Sequence, residues 1–131
     1  MTGLDTNVLL RFFAQDDAAQ ILAADRIIGS LTSEEPGWVS ITTILEIAWV
    51  LGSSKQAGRI GVSAVLEKLL SLDSVIVEQA EMVASAVRQF RSTRADFADC
   101  LIAASARAAG CSRMLTFDRI AARDAGMELI G

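Results

Sequence analysis

The sequence predicts an α/β protein, a three-layer α/β/α sandwich around a mostly parallel central sheet, and three observations carry that expectation. Short apolar stretches of strand character alternate with longer stretches of helical spacing, the pattern of βαβ units. Acids stand directly after several of the strand stretches, and right-handed crossovers bring the ends of parallel strands to one edge. With 131 residues, 52% apolar and 21% charged, the chain can bury a core as a single domain over residues 1–131 without staples.

Taken in order, the opening residues form a short strand ending at Asp5, because Val8-Leu9-Leu10 and Phe12-Phe13 begin helical spacing at once. Asp5 therefore sits at a strand-to-helix junction, the edge of an open parallel sheet where ligands bind. Asp16 and Asp17 mark a second helix start, where the dipole favours acids. Ile21, Leu22, Ala24, Ile27 and Ile28 give that helix its apolar face. Glu34-Glu35-Pro36-Gly37 is a turn, and Trp38 to Ile41 a strand.

Thr42 to Leu51 is apolar all round except for Glu46, which predicts a buried helix. An unpaired charge there costs on the order of several kcal/mol, so Glu46 needs a partner. Thr43-x-x-Glu46 offers a local one, a capping box with Glu46 at the third helical position. Gly52-Ser53-Ser54 and the glycines at 58 and 61 predict a helix end and loop before a helix carrying Val62, Val65, Leu66, Leu69 and Leu70.

Ser74 to Val77 reads as a strand, and Glu81 to Ser92 as a helix with Val83, Ala86, Val87 and Phe90 inward. Arg88, Arg91 and Arg94 recur at every third position and share a face as far as that helix lasts. Asp96 makes an N-cap for a helix running to Ala109, with Asp99 at its third position. Both carboxylates then project from one helix end. Asp99 is flanked by Phe97, Ala98, Cys100, Leu101 and Ile102, surroundings in which a charge needs more than a dipole. Gly110 ends the helix, and Ser112 to Phe117 is a strand closed by Asp118. Arg119 to Arg123 forms a helical turn or two, and Met127 to Ile130 a last strand.

Composition narrows the chemistry. Histidine and tyrosine are absent, which excludes Ser-His-Asp and Cys-His nucleophile systems, imidazole zinc sites and histidine-based acid–base nucleases. Cys100 and Cys111 are too few for a disulfide framework and read as buried small apolar residues. Acid, base or metal chemistry therefore falls mainly on Asp and Glu. Net charge is −4, but acids gathered round cations misstate the field a phosphate meets. Mean hydropathy is +0.41, yet no apolar run reaches the roughly eighteen residues of a membrane span. A cytosolic location without membrane attachment is expected, since the first residues show no signal-peptide pattern.

Asp5, Glu46 and Asp118 follow expected strands and Asp99 opens a long helix, so these four carboxylates are expected to gather at one sheet edge. Each has a capping explanation, but capping alone predicts no shared neighbourhood. Four adjacent carboxylates do not all stay ionised unaided. Oxygen ligands select Mg2+ or Mn2+ over zinc. Such ions acidify water and offset charge developing on phosphorus, which needs no histidine. A phosphodiester hydrolase run on acids and metal fits this composition.

Four stretches then carry a family resemblance: Leu4-Asp5-Thr6-Asn7-Val8-Leu9, Thr43-x-x-Glu46-Ile47-x-Trp49-Val50-Leu51, Asp96-Phe97-Ala98-Asp99-x-Leu101-Ile102-Ala103 and Leu115-Thr116-Phe117-Asp118. In order and spacing they resemble the motifs of PIN-domain proteins, and closely those of VapC-type toxins. The resemblance implies a PIN-like fold with Asp5, Glu46, Asp99 and Asp118 as metal-binding, catalytic acids. Thr6, Asn7 and Thr116 would be their polar neighbours and Asp96 an accessory acid. It further implies RNA cleavage, a homodimer, and inhibition by a cognate antitoxin protein whose tail enters the active groove.

By position alone, Arg11, Arg91 and Arg94 are candidates for phosphate or antitoxin contacts, and Trp38 and Trp49 for the dimer surface. Two alternatives stay open at this level. One is a non-catalytic PIN module that binds RNA or a partner. The other is a phosphatase of the haloacid dehalogenase type, which would want an Asp where Asn7 stands and a supporting lysine, for which Lys55 and Lys68 have no motif around them.

Overall fold

Among the described residues, the first of two compact units, Met1–Glu78, is built on three short parallel strands in the order β1-β2-β3. The structure, a computed structural model, describes residues 1–14, 18–53 and 58–131. β1 (Thr2–Gly3) pairs with β2 (Gly37–Val39) through Thr2↔Gly37 and Gly3↔Trp38. β2 pairs with β3 (Val75–Val77), Val39 facing Val77. Two helices fill each crossover: α1 (Thr6–Ala14) and α2 (Ala18–Ser30), then α3 (Ile41–Gly52) and α4 (Gly58–Ser71).

Parallel pairing puts the carboxyl ends of all three strands at one edge, occupied by Asp5, Ser40 and Glu78. The ladder is closed there by Leu4 N–H to Trp38 O and Glu78 N–H to Val39 O, each at 2.9 Å. Leu9, Val39, Ile44, Ile47, Val62, Leu66 and Leu69 are buried within this unit. Gly37 packs closely, because a Cβ on it would lie 2.7 Å from Leu4 Cδ1 and 2.9 Å from Leu31 Cδ1 and would force those side-chain tips to shift.

The second unit, Gln79–Gly131, starts with α5 (Ala80–Ser92) and α6 (Phe97–Ala108), followed by β4 (Leu115–Thr116), α7 (Arg119–Asp124) and β5 (Glu128–Leu129). Val83, Ala86, Val87 and Phe90 are the buried stripe of α5, as their spacing predicts. Phe90 meets Phe97 of α6 edge to face, ring centroids 5.8 Å apart, an arrangement favoured by the aromatic quadrupole. β4 and β5 pair in parallel, Leu115 with Glu128 and Thr116 with Leu129. Arg113 donates to Glu128 at 2.7 Å across that pair, an exposed ion pair of little weight.

Several local expectations are corrected. β2 stops at Val39 rather than Ile41, because Ser40 turns out to be the N-cap of α3. Its hydroxyl accepts the Thr43 N–H at 3.0 Å, so Glu46 is the sixth residue of the helix and the Thr43–Glu46 capping box does not form. Nor is α3 buried all round: Glu46 is exposed, and Trp49 and Val50 are 76% and 37% exposed. The same holds on α2, where Leu22 and Ile27 face outward while Ala24 and Ile28 are buried.

Gly58 and Gly61 lie within α4 rather than in a loop. β4 is shorter than the expected Ser112–Phe117. Arg94 falls beyond the end of α5, whose C-cap is Thr93, so the arginine stripe stops at Arg91. Cys100 is buried as expected, but Cys111 is exposed. The expected helix start at Asp16 and Asp17, and Ser54 and Lys55 of the expected loop, lie outside the described residues.

Candidate active site

In the first unit, β1 delivers Asp5 to the carboxyl edge and α1 begins at the next residue. Asp5 Oδ1 accepts the Val8 N–H at 3.2 Å and its main-chain oxygen accepts the Leu9 N–H at 3.3 Å. The carboxylate is exposed and caps α1 with one oxygen. Capping is thus part of what Asp5 does. Thr6 beside it is 6% exposed, a polar side chain taken into the core, whereas Asn7 is exposed.

Asn7, Val8 and Arg11 on α1 line an open groove of about 240 Å3 with Gln20, Ala24 and Ile27 on α2. Arg11 donates through Nε to the Gln20 side-chain carbonyl, which holds its guanidinium along the groove. Glu46 has no cap role, as its position in α3 shows. Glu78 was missed by sequence reasoning, although an acid straight after a strand is the signal used for Asp5. It stands at the end of β3, and its Oε1 accepts the Ile41 N–H at 2.9 Å. It therefore supplies an orphan donor at the start of α3 with a long-range partner.

In the second unit, Asp96 is the N-cap of α6 and Asp99 its third residue, as the sequence predicts. Asp96 Oδ1 accepts the Asp99 N–H at 2.8 Å. Asp118 N-caps α7, accepting the Ala121 N–H at 2.9 Å, while its own N–H is donated to Thr116 Oγ1 at 3.0 Å. Thr116 and Asp118 thus form one turn that presents the acid.

Asp99 is the carboxyl whose environment tells most. Partial burial pushes its pKa above the ordinary aspartate value, and the charges of Asp96 and Asp118 push it further in the same direction. Asp99 thus feels acids from two separate segments of the unit, an effect that adds to that of its burial. Sequence reasoning missed two residues here. Asp124, at the end of α7, accepts the Arg94 N–H through Oδ2 at 3.2 Å, and Gln89 donates through Nε2 to the Asp124 main-chain oxygen at 2.9 Å. No local pattern marks either one.

A family model described as the PIN domain matches residues 4–126. The chain belongs to the PIN domain family. The match runs through all four motifs and bears out the PIN-like α/β/α fold class expected from the sequence. PIN domains are generally metal-dependent nucleases, typically use divalent ions such as Mg2+, and bind RNA substrates. No curated protein and no solved structure shows a significant match to the chain. No helix among the described residues is long and apolar enough to cross a membrane.

The acids of this PIN domain are of the oxygen-donor type that a divalent ion such as Mg2+ takes. Among the described residues there is no group of three or more His, Cys, Asp or Glu side chains arranged as a metal cage. Mg2+ does not require one, because it keeps several waters and uses one or two carboxylates together with substrate phosphate. What it does require is hard oxygen donors with uncompensated negative charge. Asp96, Asp99 and Asp118 are carboxylates, oxygen donors of that kind, and Asp96 and Asp118 lie close enough to Asp99 for their charges to act on it.

Proposed function

We propose that this chain is a Mg2+- or Mn2+-dependent endoribonuclease acting as one PIN domain over residues 1–131, the toxin of a VapC-type toxin–antitoxin pair. The observation that carries the reading is the match of residues 4–126 to the PIN family, and the placing of Asp99 close to the charges of Asp96 and Asp118 supports it. In this reading Asp5, Glu46, Asp99 and Asp118 are the cation-holding, catalytic acids. A bound divalent ion supplies positive charge that acidifies water and offsets the charge building on phosphorus.

The chain's own residues do the rest. Asp96 holds the first turn of α6 so that Asp99 keeps one orientation, and Thr116 does the same for Asp118. Thr6 and Asn7 flank Asp5. With no histidine in the chain, a proton leaving the attacking water passes to a carboxylate or to solvent. Arg11, Arg91 and Arg94 are the proposed contacts to RNA phosphate or to an antitoxin tail, a homodimer is the proposed assembly, with Trp38 and Trp49 contributing, and the cytosol the proposed location. The phosphatase alternative gains nothing: Lys68 is exposed in the last turn of α4, and Lys55 lies outside the described residues.

The test is cleavage of a mixed RNA pool with Mn2+, with chelator, and with Asp5→Asn and Asp99→Asn. Asn at position 5 keeps the Oδ1 acceptor that caps α1, so loss of cleavage without loss of fold is the expected result. Equal cleavage by both variants, or in excess chelator, defeats the catalytic reading. Binding of RNA without cleavage by the wild type would favour the non-catalytic module.

A further inference from the structure

α7 is a short strut with a candidate catalytic acid at one end and a clamp at the other. Asp118 caps its first turn and Asp124 is its last residue. Asp124 Oδ2 accepts the Arg94 N–H at 3.2 Å, and its main-chain oxygen accepts Gln89 Nε2 at 2.9 Å. Arg123 folds back on the same carboxylate, Nε to Oδ1 at 3.0 Å and Nη2 to Oδ2 at 3.1 Å. The turn that Asp124 grips is itself pinned. Thr93 Oγ1 donates to the Gln89 main-chain oxygen at 2.8 Å and accepts the Ala95 N–H at 3.4 Å. The next residue is Asp96, which holds Asp99.

Hydrogen bonds therefore run from Asp118 along α7 to Asp124 and across to the turn at 93–95, and the chain itself leads from Ala95 into Asp96, whose carboxylate bonds Asp99. We propose that Asp124 and Gln89 are positioning residues that fix the separation of Asp118 from Asp96 and Asp99, and so set the affinity of this end of the site for a divalent ion. Neither touches the ion or the RNA. The inference rests on the reading of Asp99 and Asp118 as cation-holding acids. Groups that hydrogen-bond a metal ligand directly commonly alter metal affinity by about 10- to 100-fold when removed, and Asp124 and Gln89, one step further out, are expected at the low end of that range.

The experiment is calorimetric titration of the whole chain with Mn2+ alone, well below the melting temperature, with circular dichroism to confirm folding. Wild type is compared with Asp99→Asn, Asp124→Ala, Asp124→Asn and Gln89→Ala. The expected result is Mn2+ binding weakened about tenfold by Asp124→Ala and Gln89→Ala. Asp124→Asn should stay close to wild type, because an amide oxygen still accepts the Arg94 N–H and Arg123, 63% exposed, can turn into solvent. Equal weakening by Asp124→Asn and Asp124→Ala would show a charge effect rather than positioning and overturn the inference. Wild-type affinity in both Asp124→Ala and Gln89→Ala, with Asp99→Asn still weakened, would overturn the inference and leave the catalytic reading standing. An undiminished Asp99→Asn would remove both. If Asp124→Ala does not fold, Gln89→Ala, which deletes one side-chain hydrogen bond, decides alone.

Discussion

Asp96 accepts the backbone N–H of Asp99 at 2.8 Å, so one acid of the second unit fixes the helical turn that carries the other. Replacing Asp96 by Ala should destabilise the chain by about 1 kcal/mol, the usual loss for an N-cap. Asp96→Ser should recover most of it, since a hydroxyl still caps. Urea midpoints for the two variants check this, and an Ala variant as stable as Ser would show that the cap contributes nothing.

Asp99 sets a pH dependence whose sign follows from its raised pKa. For a group whose folded-state value lies above its unfolded one, the stability contribution is full below the unfolded value and is lost as pH rises through the folded one. In chelator, wild type should therefore lose stability relative to Asp99→Asn as pH rises from below the ordinary aspartate range through the raised value. Below that window the two should coincide. A difference in denaturation midpoint that does not change with pH would contradict the account.

Glu46 is exposed and six residues into α3, so its charge does not hold the helix together. Glu46→Gln should leave metal-free stability within about 0.5 kcal/mol of wild type, as surface substitutions do, while Mn2+ binding weakens. Ser40→Ala, at the true cap, should cost about 1 kcal/mol. Thermal melts of both variants separate the roles, and a large loss in Glu46→Gln would restore a structural one.

Gly37→Ala should be among the more damaging small changes. Its methyl would press on Leu4 Cδ1 at 2.7 Å and Leu31 Cδ1 at 2.9 Å, and overpacking of a core costs about 1 to 3 kcal/mol. Because Leu4 precedes Asp5, cleavage should fall with stability. Co-variation is checked by combining Gly37→Ala with Leu31→Ala, which makes room and should recover part of the loss.

Much of this was legible because it is local. The 3.6-residue period of α5, the cap at Asp96 with Asp99 three residues on, and the strand at Val75–Val77 each follow from a few neighbouring side chains. The placement of α3 was not, since Ser40 and Thr43 are both cap-forming residues and Glu46 completes a capping-box pattern with Thr43. Ser40 accepts the Thr43 N–H, and the next donor, Ile41 N–H, is taken by Glu78 Oε1, a residue far along the chain. Gly61 was read as a break, but one glycine costs a helix only about 1 kcal/mol, which packing of Val62 and Leu66 outweighs. An apolar sequence in α3 likewise does not ensure burial, as Trp49 shows. Gln89 and Asp124 were invisible because their bonds join segments that only the fold brings together.

The first unit's sheet has a kinetic consequence. Each of its strand pairs is separated by two helices, so no ladder bond can form before a long loop has closed, and topologies of that kind assemble slowly. During synthesis β2 gains its second neighbour only after Val77 has been made, and the start of α3 receives its bond from Glu78 later still. The edge that carries Asp5 is therefore among the last parts of that unit to be completed, and until then the nascent chain presents its first acid on an unfinished frame.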